Sequence, residues 1–220
     1  MCPVCASEFR RFLPRHLPES VCPRCGSHER HRMLWLYLAR ERPDLLAGAH
    51  SLLHFAPEPG IRRRLAAVSG LDYVTTDLDD RSVAVRADIT ALPFPDARFD
   101  ALLCSHVLEH VPDDRRAMRE LARVLAPGGW AIVLVPLDKG RSETLEDDAI
   151  DSPAGRLAAY WQADHVRLYG RDLADRLRDA GFEVTVDCFV TRLDPEAVAR
   201  YALFPDDDVY LCRRPRGAPG

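Results

Sequence analysis

Residues 99–136 read FDALLCSHVLEHVPDDRRAMRELARVLAPGGWAIVLVP, and the pattern of this stretch decides the fold class. Two short apolar runs, Phe99–Ser105 and 130–136, have the length and composition of buried strands. Between them, apolar residues recur at helical spacing over 114–125, after an acidic cap and before a Pro-Gly-Gly stop. A strand, a helix and a second strand in this order predict a parallel pair joined by a crossover helix.

The same alternation of apolar runs and amphipathic stretches continues on both sides. Further strand-like runs occupy 51–56 and 73–78, with an amphipathic stretch at 60–69 between them. The last two runs, 182–190 and 208–213, have no crossover helix long enough to make them parallel neighbours, so they predict an antiparallel edge. The pattern therefore predicts a doubly wound α/β domain with a mostly parallel sheet.

Length and composition exclude several classes of protein. A chain of 220 residues, 47% hydrophobic and 29% charged, is long enough for one full core plus a small appendage and is unlike disordered or collagen-like sequences. The apolar runs are short, seven residues at 33–39 and six at 130–135, against the roughly 20 that a membrane span requires. No apolar block follows Met1. We therefore expect a cytoplasmic protein with no membrane partner.

The distribution of charge indicates the domain organisation. Residues 1–42 contain eight Arg and four Glu, a formal charge of +4, in a chain whose net charge is -4. We predict a metal-binding module with a connecting helix at 1–42, a main domain at 43–213 and a disordered tail at 214–220. Residues 137–170 form a long polar stretch after a predicted strand, and we expect this stretch to be a cap that encloses a small-molecule substrate.

Four of the seven cysteines form a metal-site pattern, with two C-x2-C pairs separated by 16 residues: Cys2, Cys5, Cys22 and Cys25. This ligand number and spacing are typical of a closed, structural zinc site. Disulfides are the alternative, although a cytosolic protein rarely keeps them. His28 and His31 follow closely and could replace a cysteine. The other three cysteines stand alone in apolar stretches and are expected in the core: Cys104, Cys188 and Cys212.

Three features fall where an open parallel sheet binds its ligands, at the carboxyl ends of strands. The first is the turn Ala56-Pro57-Glu58-Pro59-Gly60, which follows the first predicted strand. The second is Asp77, seventeen residues after Gly60, whose carboxylate can accept both hydroxyls of a ribose. The third is Asp88 in Ala87-Asp88-Ile89, which precedes the apolar run at 99–105.

These residues, in this order, resemble the class I S-adenosylmethionine-dependent methyltransferases of the type 11 kind, over about residues 50–213. The most specific parts are DITALPF at 88–94, FD at 99–100, HVLEHV at 106–111 and LAPGG at 125–129. The resemblance implies a Rossmann-like, seven-stranded sheet, S-adenosyl-L-methionine as the cofactor and methyl transfer as the reaction.

The resemblance also implies where the cofactor binds. Asp77 would hold the adenosine ribose, Asp88 would lie near the adenine amino group, and Ile89 would lie beside the ring. Ser105 and His106 would line the sulfonium end. Other residues of the expected cofactor site lie in or directly after the first two strands: His54, Ala56, Glu58, Gly60 and Leu78.

The chain departs from the family in the first loop. The family's glycine-rich motif, Asp-x-Gly-x-Gly-x-Gly, aligns with residues 54–60, where only Gly60 keeps its glycine. Prolines in this loop remove backbone donors and conformational freedom. Either Glu58 pairs with the cofactor's ammonium group in a rebuilt loop, or the pocket is degenerate and empty. We favour the first account, because Asp77 and Asp88 remain in place.

Methyl transfer to an O–H or N–H group requires a base that removes the acceptor's proton. The candidates are His106 and His110, after the predicted strand Phe99–Ser105, and His165 and Tyr169, at the end of the cap. Cofactor packing and helix-end hydrogen bonding are the alternatives for His106 and His110. For His165, a substrate-facing role and a buried structural hydrogen bond are equally open.

The leading functional hypothesis is methyl transfer to an oxygen or nitrogen of a small molecule, such as a natural product or a sugar. The alternative is a zinc-guided RNA methyltransferase, although only residues 1–42 offer a modestly basic surface for phosphates. A third reading is a methyltransferase-like binding protein without activity.

Overall fold

The computed structural model describes residues 1–15, 18–48 and 50–216. The α-helices are α1 (Glu29–Glu41), α2 (Pro43–Leu46), α3 (Pro59–Leu65), α4 (Asp114–Val124), α5 (Pro153–Tyr160), α6 (Leu173–Asp179) and α7 (Pro195–Tyr201). The strands are β1 (Ser51–Phe55), β2 (Asp72–Asp77), β3 (Val85–Arg86), β4 (Phe99–Ser105), β5 (Leu125–Leu134), β6 (Glu183–Asp187) and β7 (Val209–Arg213). Short 3-10 helices cover Leu108–His110 and Phe189–Arg192. Among the described residues, no helix combines the length and apolar character that a bilayer crossing requires.

All seven strands belong to one sheet in the order β3-β2-β1-β4-β5-β7-β6. The pairs β1 with β4, β4 with β5, and β2 with β3 are parallel, whereas β7 runs antiparallel to β5. The predicted fold class, a mostly parallel seven-stranded α/β sheet with an antiparallel edge, is confirmed. Parallel strands with carboxyl ends at one edge create the place where such sheets bind ligands.

The centre of the sheet forms as the sequence predicts. The Asp113 carboxylate accepts a hydrogen bond from Arg116 N at 2.9 Å and so caps α4. The buried face of α4 carries apolar residues at helical spacing: Ala117, Met118, Leu121 and Val124. Strand β5 begins at Leu125 instead of at residue 130, because Phe99 pairs with Leu125 before a register shift.

The chain divides into two compact units that interleave along the sequence. The first consists of Met1–Ser51, Pro57–Tyr73 and Asp187–Val209, and the second of Leu52–Ala56, Val74–Val186 and Tyr210–Gly220. The domains predicted from the sequence, 1–42 and 43–213, follow one another along the chain and do not interleave. Three helices were not predicted: α2, a single turn of four residues, α5, in the polar cap stretch, and α7, in a stretch without an evident apolar period.

Some local expectations change in the structure. His28 occupies the N-cap position of α1. Cys104 and Cys212 are buried as predicted, but Cys188 is exposed, so its placement in the core was wrong. In the predicted tail, Arg214 N donates to Gly129 O at 3.0 Å, while residues 217–220 lie outside the described residues.

The first unit is organised around a fully buried arginine, Arg32 of α1. Its guanidinium lies 3.9 Å above the centre of the Phe12 ring. It donates hydrogen bonds to backbone carbonyl oxygens from three parts of the unit: Glu19, Ser20, Ser27, Tyr201 and Ala202. Because a buried charge requires a partner for every donor, Arg32 fixes the path of the backbone at each carbonyl.

We therefore predict that Arg32→Lys lowers the free energy of unfolding by about 3–5 kcal/mol, because a lysine ammonium has three donors and leaves buried carbonyls without partners. Arg40→Lys, at an exposed position of the same helix, is the matched control and is expected to change stability by at most about 0.5 kcal/mol. Urea denaturation of the full chain measures both. Equal effects of the two substitutions would refute the role of Arg32.

Candidate functional site

Three strand ends meet at one edge of the sheet in the second unit. Phe55, the last residue of β1, pairs with Cys104 of β4. The amide of Ala56 donates to Thr76 O of β2 at 2.9 Å. The residues that complete or directly follow these strands, Ala56, Asp77 and Ser105, therefore lie at the same edge.

Two non-glycine residues at this edge have left-handed backbone. Ala56 has φ 42° and His106 has φ 54°. Such values are uncommon for residues with a side chain and cost free energy, so they occur where surrounding structure imposes them. Ala56 aligns with the first glycine of the family motif, and it keeps the backbone conformation that glycine would adopt easily.

The edge also carries polar atoms without partners. Ser105 Oγ and Thr76 Oγ1 are buried and make no hydrogen bond within the described part of the chain. Asp77 Oδ1 accepts from the amides of Asp79 and Asp80 at 2.7 and 2.8 Å, which fixes the orientation of the carboxylate. Buried hydroxyls without partners are rare in proteins and indicate a missing ligand or water.

Four further residues of the predicted cofactor site also belong to the second unit: His54, Leu78, Asp88 and Ile89. Leu78, directly after β2, is a large apolar side chain with 59% of its surface exposed, whereas Ile89 is buried. Asp88 Oδ1 accepts from Thr90 N and Thr90 Oγ1, both at 2.8 Å. The backbone hydrogen bond from Thr90 holds the pKa of Asp88 below its ordinary value. His54 is fully buried within β1.

Glu58 and Gly60 belong to the first unit and have neighbours there. Glu58 Oε1 lies 3.8 Å from His31 Nε2, and both side chains are mostly buried. A Cβ at Gly60 would lie 2.7 Å from Ser27 Oγ and 3.0 Å from a Val4 methyl, so close packing requires a glycine there. The pairing of Glu58 with a cofactor ammonium stays a prediction, in competition with His31.

The four predicted metal ligands converge in the first unit. Cys2 Sγ lies 3.7 Å from Cys25 Sγ, and Cys5 Sγ lies 3.8 Å from Cys22 Sγ. A tetrahedral ion with metal–sulfur bonds of about 2.3 Å places sulfur ligands roughly 3.8 Å apart, whereas a disulfide requires about 2.05 Å. The geometry therefore fits a tetrahedral metal ion. Neither His28 nor His31 belongs to the cluster.

A histidine and a buried carboxylate follow β4. His106 Nδ1 lies 3.1 Å from Glu109 Oε1, and the side chains are 26% and 1% exposed. The approach is an ion-pair distance without hydrogen-bond alignment, since neither Glu109 carboxylate oxygen has a hydrogen-bond partner within the described chain. This arrangement holds a partly exposed imidazole beside a buried anion.

His110 and His165 pack against each other, with ring centroids 4.8 Å apart and planes at 82°. His165 is buried, and its Nδ1 lies 2.9 Å from Tyr160 O. His110 is partly exposed, and its Nδ1 lies 3.3 Å from Asp164 Oδ2. Burial lowers the pKa of His165, against the opposing effect of the Tyr160 carbonyl, so its imidazole is neutral at pH 7.

A buried ionic network holds the end of the cap against the loop that follows β4. Arg167 donates to the carbonyl oxygens of Leu108 and Pro112 at 2.9 and 2.8 Å. Tyr169 is fully buried, and its hydroxyl donates to Asp114 Oδ2 at 2.8 Å. Burial, followed by the charge of Asp114, raises the pKa of Tyr169 well above its ordinary value. These contacts support a structural role for Tyr169 and give its predicted catalytic role no support.

Sequence reasoning assigned no role to Glu109 or to Arg167. His106 and Glu109 stand three residues apart, a spacing that brings side chains together on a helical turn and was the available signal for Glu109. Arg167 carried no such signal, because its carbonyl partners lie 55 or more positions away in the sequence.

Comparisons with known proteins agree with this fold. A family model described as a methyltransferase domain matches residues 52–133. A protein of Encephalitozoon cuniculi (strain GB-M1), named as a candidate methyltransferase, is 30% identical over 193 residues, 79% of this chain and 88% of that protein. The 27-O-demethylrifamycin SV methyltransferase of Amycolatopsis mediterranei (strain S699) is 44% identical over 77 residues, 33% of this chain and 27% of that enzyme.

The crystal structure of an S-adenosylmethionine-dependent methyltransferase from Mesorhizobium loti is similar, with a TM-score of 0.58 at 22% identity over 82% of this chain and 97% of that chain. At this identity the likeness shows the fold alone. This chain spans 38% of the length of the mycobacterial methyltransferases that it also matches.

Proposed function

Because this chain belongs to the class I S-adenosylmethionine-dependent methyltransferases, we propose that it transfers a methyl group to an oxygen or nitrogen of a small molecule. The observation that carries the proposal is the edge of the sheet at Ser105, where buried hydroxyls without partners lie at the carboxyl ends of strands. The similarity to an enzyme named for methylating a rifamycin supports a small acceptor.

The cofactor site that we propose uses residues of the second unit. Asp77, fixed through Oδ1 by two backbone amides, would accept the ribose hydroxyls through Oδ2. Exposed Leu78 would cover one face of the adenine, while Asp88 and Ile89 would lie at its edge. Ser105 Oγ would gain a partner that it otherwise lacks. When bound, S-adenosylmethionine supplies an electrophilic methyl group on a positively charged sulfur.

We assign the base to His106. Among the four predicted catalytic residues, it is the one that combines solvent exposure with a buried anionic partner, since His165 and Tyr169 are buried and the partner of His110 is 66% exposed. The Glu109 carboxylate, 3.1 Å from His106 Nδ1, would offset the charge of the proton that His106 Nε2 takes from the acceptor. Glu109 is a positioning residue in this scheme.

The acceptor would bind under the cap, residues 137–170. Leu137 forms an isolated β-bridge with Tyr169, and Leu145 forms one with Leu168. Backbone pairing therefore connects the two ends of the cap. The intervening helix α5 and the residue after it expose two apolar side chains, Leu157 at 57% and Trp161 at 54%. Exposed apolar side chains on a cap favour an acceptor with apolar surface.

The Cys2, Cys5, Cys22 and Cys25 cluster would hold one structural zinc ion. The observed sulfur separations fit tetrahedral coordination. Ser27 Oγ lies 3.0 Å from Cys25 Sγ, so a hydrogen bond between them would hold this ligand in position. A short segment with few apolar residues benefits from a metal ion, because it lacks a core of its own.

The cofactor proposal predicts that Asp77→Ala weakens binding of S-adenosylhomocysteine about 10–100-fold, because two ribose hydroxyls lose a charged acceptor. Asp72→Ala, at the opposite end of β2, is the matched control. Isothermal titration calorimetry measures both affinities. Unchanged affinity in folded Asp77→Ala protein would contradict the ribose assignment.

The base assignment predicts that His106→Asn lowers kcat about 10²–10⁴-fold. The acceptor for this assay is identified by screening small hydroxylated and amino compounds for release of S-adenosylhomocysteine. Glu109→Gln is expected to lower kcat less and to shift the pH profile of kcat, as a positioning residue would. The control is His50→Asn, because the His50 ring lies beside Asp44 in the first unit. A normal kcat in His106→Asn would contradict the assignment of His106 as the base.

The zinc proposal predicts one zinc ion per chain at this site, measured by elemental analysis of protein purified without added metal. Cys22→Ser is expected to reduce zinc content and melting temperature together, because metal binding and folding are coupled. Cys188→Ser, at an exposed cysteine outside the cluster, should change neither. Folded wild-type protein whose thiols at this site hold no zinc would overturn the proposal.

A further inference from the structure

A second group of metal-ligating side chains lies in the other unit, where the sequence pattern indicated no metal. Glu109, His110 and His165 each offer one ligand atom, and these atoms lie within 4.8 Å of one another. One histidine comes from the cap and the other two residues from the loop after β4. The group is therefore assembled by the fold and does not come from one sequence motif.

The two histidines are oriented as metal ligands usually are. The Nδ1 atom of His165 lies 2.9 Å from the Tyr160 carbonyl oxygen, and that of His110 lies 3.3 Å from the Asp164 carboxylate. Both neighbours are acceptors, so a ring that carries its proton on Nδ1 would leave the Nε2 lone pair available to a metal ion. Histidines that bind metals typically donate their other ring N–H to a carbonyl or carboxylate in this way.

Glu109 gives an independent indication of a cation. Its side chain is 1% exposed, and neither carboxylate oxygen has a hydrogen-bond partner within the described chain. The nearest basic group is His106, whose Nδ1 approaches Oε1 at 3.1 Å without alignment. A carboxylate has about four lone-pair sites, so this contact leaves capacity for a metal ion. A buried carboxylate without hydrogen bonds is costly unless a cation compensates it.

We propose that Glu109, His110 and His165 bind a divalent first-row transition metal ion, separate from the four-cysteine site. Two imidazoles and one carboxylate suit zinc, iron, cobalt or nickel better than magnesium or calcium. Three protein ligands leave coordination positions open, so the ion can also bind an oxygen-containing small molecule. His110 is 33% exposed and gives the ion access from solvent.

The geometry requires a modest adjustment. Bonds of about 2.0–2.1 Å to a tetrahedral ion place ligand atoms roughly 3.3 Å apart. The three atoms, now within 4.8 Å of one another, would approach each other by up to about 1.5 Å, which side-chain torsions can supply. The His110 ring is the most exposed of the three side chains and so has the most room to adjust.

The test uses the full chain with zinc in the cysteine site and Co²⁺ as the probe. Calorimetry counts bound ions, and visible absorption separates the sites, because cobalt at an imidazole–carboxylate site lacks the thiolate charge-transfer band. We expect one equivalent of Co²⁺ without that band in the wild type. His165→Asn and Glu109→Gln should each weaken it at least about 100-fold, and Asp164→Asn, which lies outside the ligand set, about 10–100-fold.

Melting temperatures without metal and with Co²⁺ distinguish a loss of metal binding from a loss of folding. Glu109→Gln removes a buried charge, so without metal its melting temperature should equal or exceed that of the wild type. Co²⁺ should raise the melting temperature of the wild type but not that of Glu109→Gln. His50→Asn should bind Co²⁺ as the wild type does. Absence of the extra equivalent in the wild type, or equal binding in all variants, would overturn the proposal whether or not S-adenosylhomocysteine binds.

Discussion

The need to satisfy buried guanidinium groups shapes both units of this protein. An arginine side chain carries five N–H donors and keeps its charge, so the interior around it must supply acceptors in fixed directions. In the first unit, Arg32 donates hydrogen bonds to five backbone carbonyl oxygens. In the second unit, Arg167 donates hydrogen bonds to backbone carbonyl oxygens of the loop after β4. Each arginine therefore determines the position of segments that have little apolar surface of their own.

The consequence for the site is that its rigidity depends on ionic contacts as well as on the core. Arg176 donates to Asp114 at 3.2 Å and to Glu146 at 2.9 Å, and Tyr169 shares the same Asp114 oxygen. Hydrogen bonds from the two arginines lower the pKa of Glu146, although burial opposes the shift. The group joins the cap to α4, so His165 and Glu109 are held at a defined separation.

The edge of the sheet combines strain with unsatisfied polar groups. Ala56 and His106 have left-handed backbone, and Ser105 and Thr76 have buried hydroxyls without partners. Each feature costs stability in the absence of a ligand. Their coincidence at the carboxyl ends of three neighbouring strands is typical of a site where binding energy is used for chemistry.

The sequence alone determined the elements at the centre of the sheet and the convergence of the four cysteines. Strand and helix periods predicted the order of β1, β2, β4, α4 and β5, because hydrophobic periodicity reports which face of each element is buried. The spacing of the cysteine pairs predicted a metal cluster, since each C-x2-C turn brings two thiols together locally. Both signals are short in range, so the sequence contains them in full.

The tertiary structure decided which polar residues are buried. Arg32, Arg167 and Glu109 resemble surface residues in the sequence, since charged side chains are mostly exposed. Arg167 meets Leu108 across 59 positions, and Arg32 meets Tyr201 across 169. A charge is buried only where distant segments supply its partners, and one sequence without its fold does not show which segments meet. The proximity of Glu109 to His165 depends on the same long-range assembly.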